Sequence, residues 1–195
     1  MKHVALMGAG KIGEAIVNLL GHSGDYRVTV VDQSNESLAA MSALGVQMDG
    51  SRGQTIPGDR RGSAQQAVRI LQADVSNTAP LLESLQGVDV LLSACPYYLT
   101  PSLAQLAKDL GAHYLDLTED VQSTRAVRRL AEGARTAFVP QCGLAPGFVS
   151  IAAQSVAQRF DQLRDVIMRV GALPVYPSTA LKYNLTWSTD GLINE

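Results

Sequence analysis

The chain has 195 residues, 46% of them hydrophobic, and a formal net charge of −2, which gives no electrostatic case for nucleic acid or an anionic membrane as partner. No apolar run approaches the ~20 residues that span a bilayer, and no charged leader with a cleavage site precedes the first strand. The two cysteines, Cys95 and Cys142, form no CxxC pair, which argues against a zinc site or a disulfide framework and for a reduced, cytoplasmic compartment.

The first element is a short apolar run, Val4-Ala5-Leu6-Met7, followed by Gly8-Ala9-Gly10-Lys11-Ile12-Gly13. Residues 14–20 carry apolar side chains at helical spacing. A second apolar run, 28–31, is closed by Asp32. Strand, glycine turn, helix, strand and terminal acid is the dinucleotide-binding βαβ pattern. Gly8 permits the tight turn, Gly10 lets the backbone approach a pyrophosphate, and Gly13 lets helix and strand pack closely. Lys11 and Ile12 open the helix, whose N-terminal N–H groups and dipole suit the phosphates. Asp32 can accept both hydroxyls of an adenosine ribose and would repel a 2′-phosphate. Gln33 and Ser34 add no cation, so NAD is expected over NADP.

Gly21 is read as the terminator of the first helix, and Ser34 as the N-cap of a second, 36–44, ended by Gly45. Residues 49–66 mix Gly50, Gly53, Pro57, Gly58 and Gly62 with Arg52, Arg60 and Arg61. They read as a mobile surface insertion, and its arginines keep NADP open as the cofactor. A third strand is expected at 68–71, with Asp74 just past it bordering the adenine. A short helix at 80–85 follows, then a fourth strand at 88–92. Ser93-Ala94-Cys95-Pro96-Tyr97-Tyr98 lies at its C-terminal edge, where open α/β sheets bind ligands; Ala94 and Pro96 are assigned to the cofactor. Thr100-Pro101 is read as capping and starting the next helix, closed by Gly111.

The fifth strand is expected at 112–117, with Thr118 capping a helix that carries Glu119 and Asp120 in its first turn and ends near Gly133. The sixth strand, 136–139, runs into Pro140-Gln141-Cys142-Gly143-Leu144-Ala145-Pro146-Gly147 and a helix over 148–160. Six strands alternating with helices predict an α/β fold, a doubly wound parallel sheet of the Rossmann type, over residues 1–148. Residues 149–195 read as a linking helix and the start of a second, α+β unit. Its strands are expected at 166–171 and 181–187, and two strands do not make an independent domain.

The segments GAGKIG at 8–13, SACPYYL at 93–99, HYLDLTED at 113–120, QCGLAPGFVSI at 141–151, RVGALP at 169–174 and KYNLTWSTDGLINE at 182–195 resemble the saccharopine dehydrogenase family, which includes lysine 6-dehydrogenases and saccharopine reductases. The resemblance implies a dehydrogenase that oxidises a carbon–nitrogen bond of an amino acid or reduces the corresponding imine, and a homo-oligomer, a dimer. It also implies that the second unit continues for nearly as many residues again. By resemblance, Asp116 is the active-site acid, Cys142 is the cysteine of the saccharopine reductases, and Tyr97 flanks the nicotinamide. Lys182, Asn184, Trp187 and Ser188 match the stretch that faces the substrate. His113 is read as structural. The expected function is that of an L-lysine 6-dehydrogenase. Saccharopine oxidation or formation is the alternative, and a dinucleotide-binding protein without turnover the third reading.

Overall fold

The computed structural model describes residues 1–42, 47–49, 53–55, 68–171, 176 and 178–180. The chain runs β1 (Lys2–Met7), α1 (Lys11–Ser23), β2 (Tyr26–Asp32), α2 (Asn35–Ser42), β3 (Gln47–Asp49), β4 (Gly53–Thr55), β5 (Arg69–Gln72), α3 (Thr78–Ser84), β6 (Val90–Ser93), α4 (Thr100–Leu110), β7 (His113–Asp116), α5 (Val121–Ala131), β8 (Phe138–Val139) and α6 (Phe148–Ala157). Six strands form one parallel sheet in the order β5-β2-β1-β6-β7-β8. β3 and β4 make a separate antiparallel pair.

The sheet separates two cores. Val17 of α1 and Leu38 and Met41 of α2 pack with Leu6, Val28, Val30 and Ile70. On the other side, Leu81 of α3, Leu103 and Leu106 of α4 and Val127 of α5 pack with Ala5, Met7, Val31, Leu91 and Tyr114. Adjacent residues of β1 and β2 therefore bury into opposite layers. That is why those strands read as unbroken apolar runs rather than as alternating ones. The strand order reverses between β1 and β6, so the loops after these two strands diverge and open a crevice at the C-terminal edge of the sheet. The doubly wound fold expected from the sequence is the one observed.

Several local expectations are corrected. Helix α1 continues through Gly21; Gly24, at φ 73°, is the left-handed residue that ends it. The Ser23 hydroxyl donates to the Leu20 carbonyl at 2.7 Å, which helps close the last turn. Ser34 does cap α2, its hydroxyl accepting from the Ser37 N–H at 3.2 Å. Thr100 is the first residue of α4 and its hydroxyl caps nothing, because a single 3₁₀ turn over Tyr97–Leu99 feeds into the helix. The cap of α5 is Asp120, whose carboxylate accepts from the Ser123 N–H at 2.6 Å. Thr118 instead accepts from the Asp120 N–H, so residues 118–120 lie ahead of the helix. Helix α6 stops at Ala157, short of Phe160.

No strand forms at 166–171. An apolar run becomes a strand only against a partner, and none of the described residues pairs with it. Ile167 is 74% exposed, and Phe148, Ile151 and Phe160 are exposed too. The insertion expectations at 50–52 and 56–66, and the helix end at Leu44 and Gly45, lie outside the described residues.

Candidate functional site

The glycine turn is built by close approach. Gly8 sits at φ 103° and donates its N–H to the Val31 carbonyl at 2.8 Å. A Cβ there would lie 3.0 Å from the Ala94 oxygen and 3.3 Å from the Cys95 sulfur, so the loops after β1 and β6 abut at this point. A Cβ on Gly13 would overlap the Gly8 carbonyl oxygen; the absence of that atom lets α1 pack against the end of β1. Gly10 behaves differently. It is the N-cap of α1, no side chain caps that end, and a Cβ added to it would meet nothing within 4 Å. The turn thus presents an uncapped helix N-terminus, flanked by exposed Lys11 and Ile12, to open space bounded by backbone. This fits a dinucleotide pyrophosphate, which needs N–H donors and no side chain in the way.

Asp32 closes β2 beside that turn. Its Oδ2 accepts from the Ala9 N–H and its Oδ1 from the Ser34 N–H, both at 2.7 Å. Each oxygen keeps lone pairs for a ribose hydroxyl. Asp74 is exposed, and its Oδ1 accepts from the N–H (2.9 Å) and hydroxyl (2.7 Å) of Ser76. Those two bonds, the side-chain one first, hold it below the usual carboxylate range. The carboxylate of Asp74 therefore shapes the turn before α3.

Across the crevice, Ser93 closes β6 and pairs in register with Asp116 at the end of β7. The Ala94 N–H donates to the Met7 carbonyl at 2.8 Å, and Pro96 is exposed. Cys95 lies under the glycine turn. Burial, with Asp32 adding to it, pushes its thiol up to about 12. The carbonyl of half-buried Tyr97 accepts from the Ser123 hydroxyl at 3.1 Å.

Asp116 is 1% exposed. Its Oδ1 accepts from the Thr118 N–H at 3.0 Å and the Gln141 N–H at 3.1 Å. Its Oδ2 is buried without a hydrogen-bond partner. Burial raises its pKa, against the lowering effect of the Gln141 and Thr118 N–H groups and of the Tyr114 hydroxyl that faces the carboxyl. Cys142 follows Gln141, and its Sγ lies 3.1 Å from the Val139 carbonyl. Burial first and Asp116 second push this thiol above its usual range as well.

The structure thus gathers Gly8, Gly10, Lys11, Ile12, Gly13, Asp32, Ala94 and Pro96 at one end of the sheet's C-terminal edge. Asp116 and Cys142 lie together two strands along. His113 is remote from them, and its Nδ1 accepts from the Ala137 N–H at 3.0 Å. Lys182, Asn184, Trp187 and Ser188 lie outside the described residues. A groove of about 660 Å³ runs between α6 and residues 162–169, and none of the predicted site residues among the described ones lines it.

Two residues escaped the sequence reading. Tyr114 is fully buried on the same face as Asp116, with its hydroxyl 3.4 Å from the Thr100 carbonyl; burial and then Asp116 raise its pKa. The two-residue alternation of His113-Tyr114-Leu115-Asp116 was the available signal. Gln141 takes a left-handed backbone, φ 63°, for which nothing in the sequence singles it out.

The saccharopine dehydrogenase NADP binding domain family matches residues 4–139. Among solved structures, apo saccharopine dehydrogenase (L-Glu forming) from Saccharomyces cerevisiae is similar over 99% of this chain and 40% of its own, at 19% identity and TM-score 0.66. Shikimate dehydrogenase from Mycobacterium tuberculosis is similar over 80% of this chain and 51% of its own, at 18% identity and TM-score 0.53. The WlbA dehydrogenase from Bordetella pertussis, solved with NADH and UDP-GlcNAcA, is similar over 81% of this chain and 42% of its own, at 14% identity and TM-score 0.52. At such identities the shared feature is the fold. The chain spans 40% of the length of the yeast structure.

Proposed function

The chain belongs to the saccharopine dehydrogenase family, and on that premise we propose that it is the nicotinamide-dinucleotide half of an oxidoreductase acting on the CH–NH group of an amino acid, of the L-lysine 6-dehydrogenase type. The observation that carries the reading is the placement of Asp116, a buried carboxyl with one unpartnered oxygen, on the same sheet edge as the glycine turn.

The dinucleotide, when bound, supplies the acceptor for the hydride that leaves the amine-bearing carbon. The residues present supply the rest. Gly8, Gly10, Lys11, Ile12 and Gly13 form the phosphate cradle. Asp32 faces the adenosine ribose, and its charge favours NAD over NADP. Asp74 sits toward the adenine side. Ala94, Pro96 and Tyr97 border the nicotinamide. The ammonium nitrogen must lose its proton before the carbon gives up hydride. Oδ2 of Asp116 is the oxygen free to take it, and burial brings its pKa up toward the range useful for that task. The imine so formed takes up water and releases the nitrogen, leaving the semialdehyde.

A second reading, saccharopine oxidation or formation, is favoured by one observation: a thiol, Cys142, stands beside Asp116. The reading extends to Lys182, Asn184, Trp187 and Ser188 as substrate contacts and to a cytoplasmic homodimer. It divides the chain into a dinucleotide-binding domain over 1–148 and a linking helix with the start of a substrate and dimerisation domain over 149–195. The exposed apolar side chains of Ile151, Phe160 and Ile167 support the dimer.

The test has two stages. NADH is titrated into the chain by fluorescence, and NADH formation is then followed with L-lysine and with saccharopine. Binding is expected, with little or no turnover by the 195-residue chain alone and with turnover that Asp116→Asn abolishes when the substrate domain proposed to start at 149–195 is present in full. Binding without turnover of either substrate in that longer chain would leave a dinucleotide-binding protein, and absence of binding would overturn the reading altogether.

A further inference from the structure

We propose that Asp116 also positions the turn that carries Cys142, with one carboxylate oxygen assigned to the backbone and the other to the proton. The second half of this assignment rests on the function proposed above; the first half stands on geometry alone.

The ladder between β7 and β8 is two residues long, Tyr114 with Phe138 and Leu115 with Val139. Where it ends, Asp116 takes over. Its main-chain carbonyl accepts from the Cys142 N–H at 2.8 Å. Its Oδ1 accepts from the Gln141 N–H at 3.1 Å and, from the other side, the Thr118 N–H at 3.0 Å. Two consecutive N–H groups of the turn are thus held by one residue. Gln141 needs such a hold, because it sits at φ 63° without being glycine. The far side of the turn is fastened separately. The Phe148 N–H donates to the Gly143 carbonyl at 2.9 Å, and Gly147, at φ 132°, has no room for a Cβ against the oxygens of Gln141 and Gly143. Cys142 lies between these two fastenings. Oδ2 takes no part in the clamp: it is buried outside hydrogen-bond geometry, with the Tyr114 hydroxyl as the side chain facing the carboxyl, so a proton gained or lost there does not release the turn.

Asparagine keeps an Oδ1 acceptor at the same reach but holds no exchangeable acid proton. Glutamate keeps the acid but moves it by one methylene. Amide hydrogen exchange on the cofactor-free 195-residue chain separates the two tasks. In D116N, exchange at Gln141 and Cys142 should stay within about threefold of the parent. In D116E and D116A it should accelerate about tenfold or more, the expectation for a lost hydrogen bond, while the amides of β1 and α4 keep their rates. Alkylation of Cys142 by iodoacetamide, in a C95A background, should accelerate in the same two variants. If D116A loosens the whole molecule, the comparison of D116E with D116N decides. Unchanged exchange in D116E, or D116N as loose as D116E, would overturn the clamp. Parental turnover in D116N of the longer chain would overturn the assignment of the proton to Oδ2. Absence of turnover in the longer parent bears on the oxidoreductase reading alone, because exchange requires neither cofactor nor substrate.

Discussion

Gly13 and Gly10 lie three residues apart in one turn, and the structure predicts opposite consequences for the same added methyl group. In Gly13→Ala the Cβ would overlap the Gly8 carbonyl oxygen. That atom is backbone, pinned by the Gly8 N–H to Val31 bond at 2.8 Å, so it cannot swing aside as a side chain would. Either α1 lifts from β1 or the turn distorts. Overpacking of this kind costs about 1–3 kcal/mol, which lowers the melting temperature of a chain this size by roughly 2–12 °C. In Gly10→Ala the Cβ meets nothing within 4 Å and the backbone, at φ −71°, is one that alanine adopts freely. Alanine is a poorer N-cap than glycine by up to about 1 kcal/mol, and the smaller entropy of the unfolded chain returns about 0.4–1 kcal/mol. The fold is therefore expected to keep its melting temperature to within about 2 °C. The same methyl group, however, occupies the space that the pyrophosphate requires. A loss of about tenfold or more in NADH affinity is expected, equivalent to about 1.4 kcal/mol. Thermal melting and fluorescence titration on the two variants give four numbers. Unchanged NADH affinity in Gly10→Ala would refute the placement of the phosphates at this turn. A normal melting temperature in Gly13→Ala would refute the close-approach argument.

Two further outcomes are expected. With a carboxylate at Asp32 and no cation from Gln33 or Ser34, the chain should bind NADH more tightly than NADPH, and Asp32→Ala should narrow the ratio of dissociation constants by about tenfold; tighter NADPH binding by the parent sinks this reading. The other outcome concerns acid stability. Arg27 has donors alone, so His3 Nδ1 accepts from it at 3.0 Å and Nε2–H donates to the Thr29 hydroxyl at 2.9 Å, which requires a neutral ring. Burial first, then Arg27, lower the His3 pKa from 6.5, Arg69 acting the same way and Asp89 in opposition. The unfolded chain therefore takes up a proton before the folded one, so stability is full above 6.5, falls as pH drops below it, and levels off below the folded pKa. Urea unfolding between about pH 7 and pH 5, above the range of the lowered Asp89, should show a slope that His3→Gln reduces; an identical slope in the variant counts against it.

The fold was legible wherever its cause lies within a few consecutive residues. Gly8, Gly10 and Gly13 encode their turn locally, and the two unbroken apolar runs of β1 and β2 announce a sheet covered on both faces. The errors share a different cause. Gly21 and Gly24 are both plausible terminators by composition. The choice between them depends on where β2 must start to pair with β1 from Tyr26 onward. Thr118 and Asp120 are both good caps, and the choice falls to Asp120 because Asp116 holds the Thr118 N–H at the strand end and the Thr118 hydroxyl is taken by the Asp120 N–H ahead of the helix. The run at 166–171 has strand composition but no described partner, and composition cannot supply one.

The site divides along the same line. The glycine turn and Asp32, the proposed cofactor contacts, belong to one βαβ unit, and their spacing places them together. The contact between Asp116 and Gln141 spans 25 residues and depends on the register of β7 against β8. That register, Tyr114 with Phe138 and Leu115 with Val139, brings the Gln141 N–H to the carboxylate. A slip of one residue toward the N-terminus of β8 would present Pro140 instead, which has no N–H to give. Oδ1 would then lose one of its two donors while remaining buried, at a cost of about 1–3 kcal/mol. The ladder contributes only two residues here, so the carboxylate that the strand positions in turn helps to select the strand's register. That reciprocity has no signature in either segment taken alone.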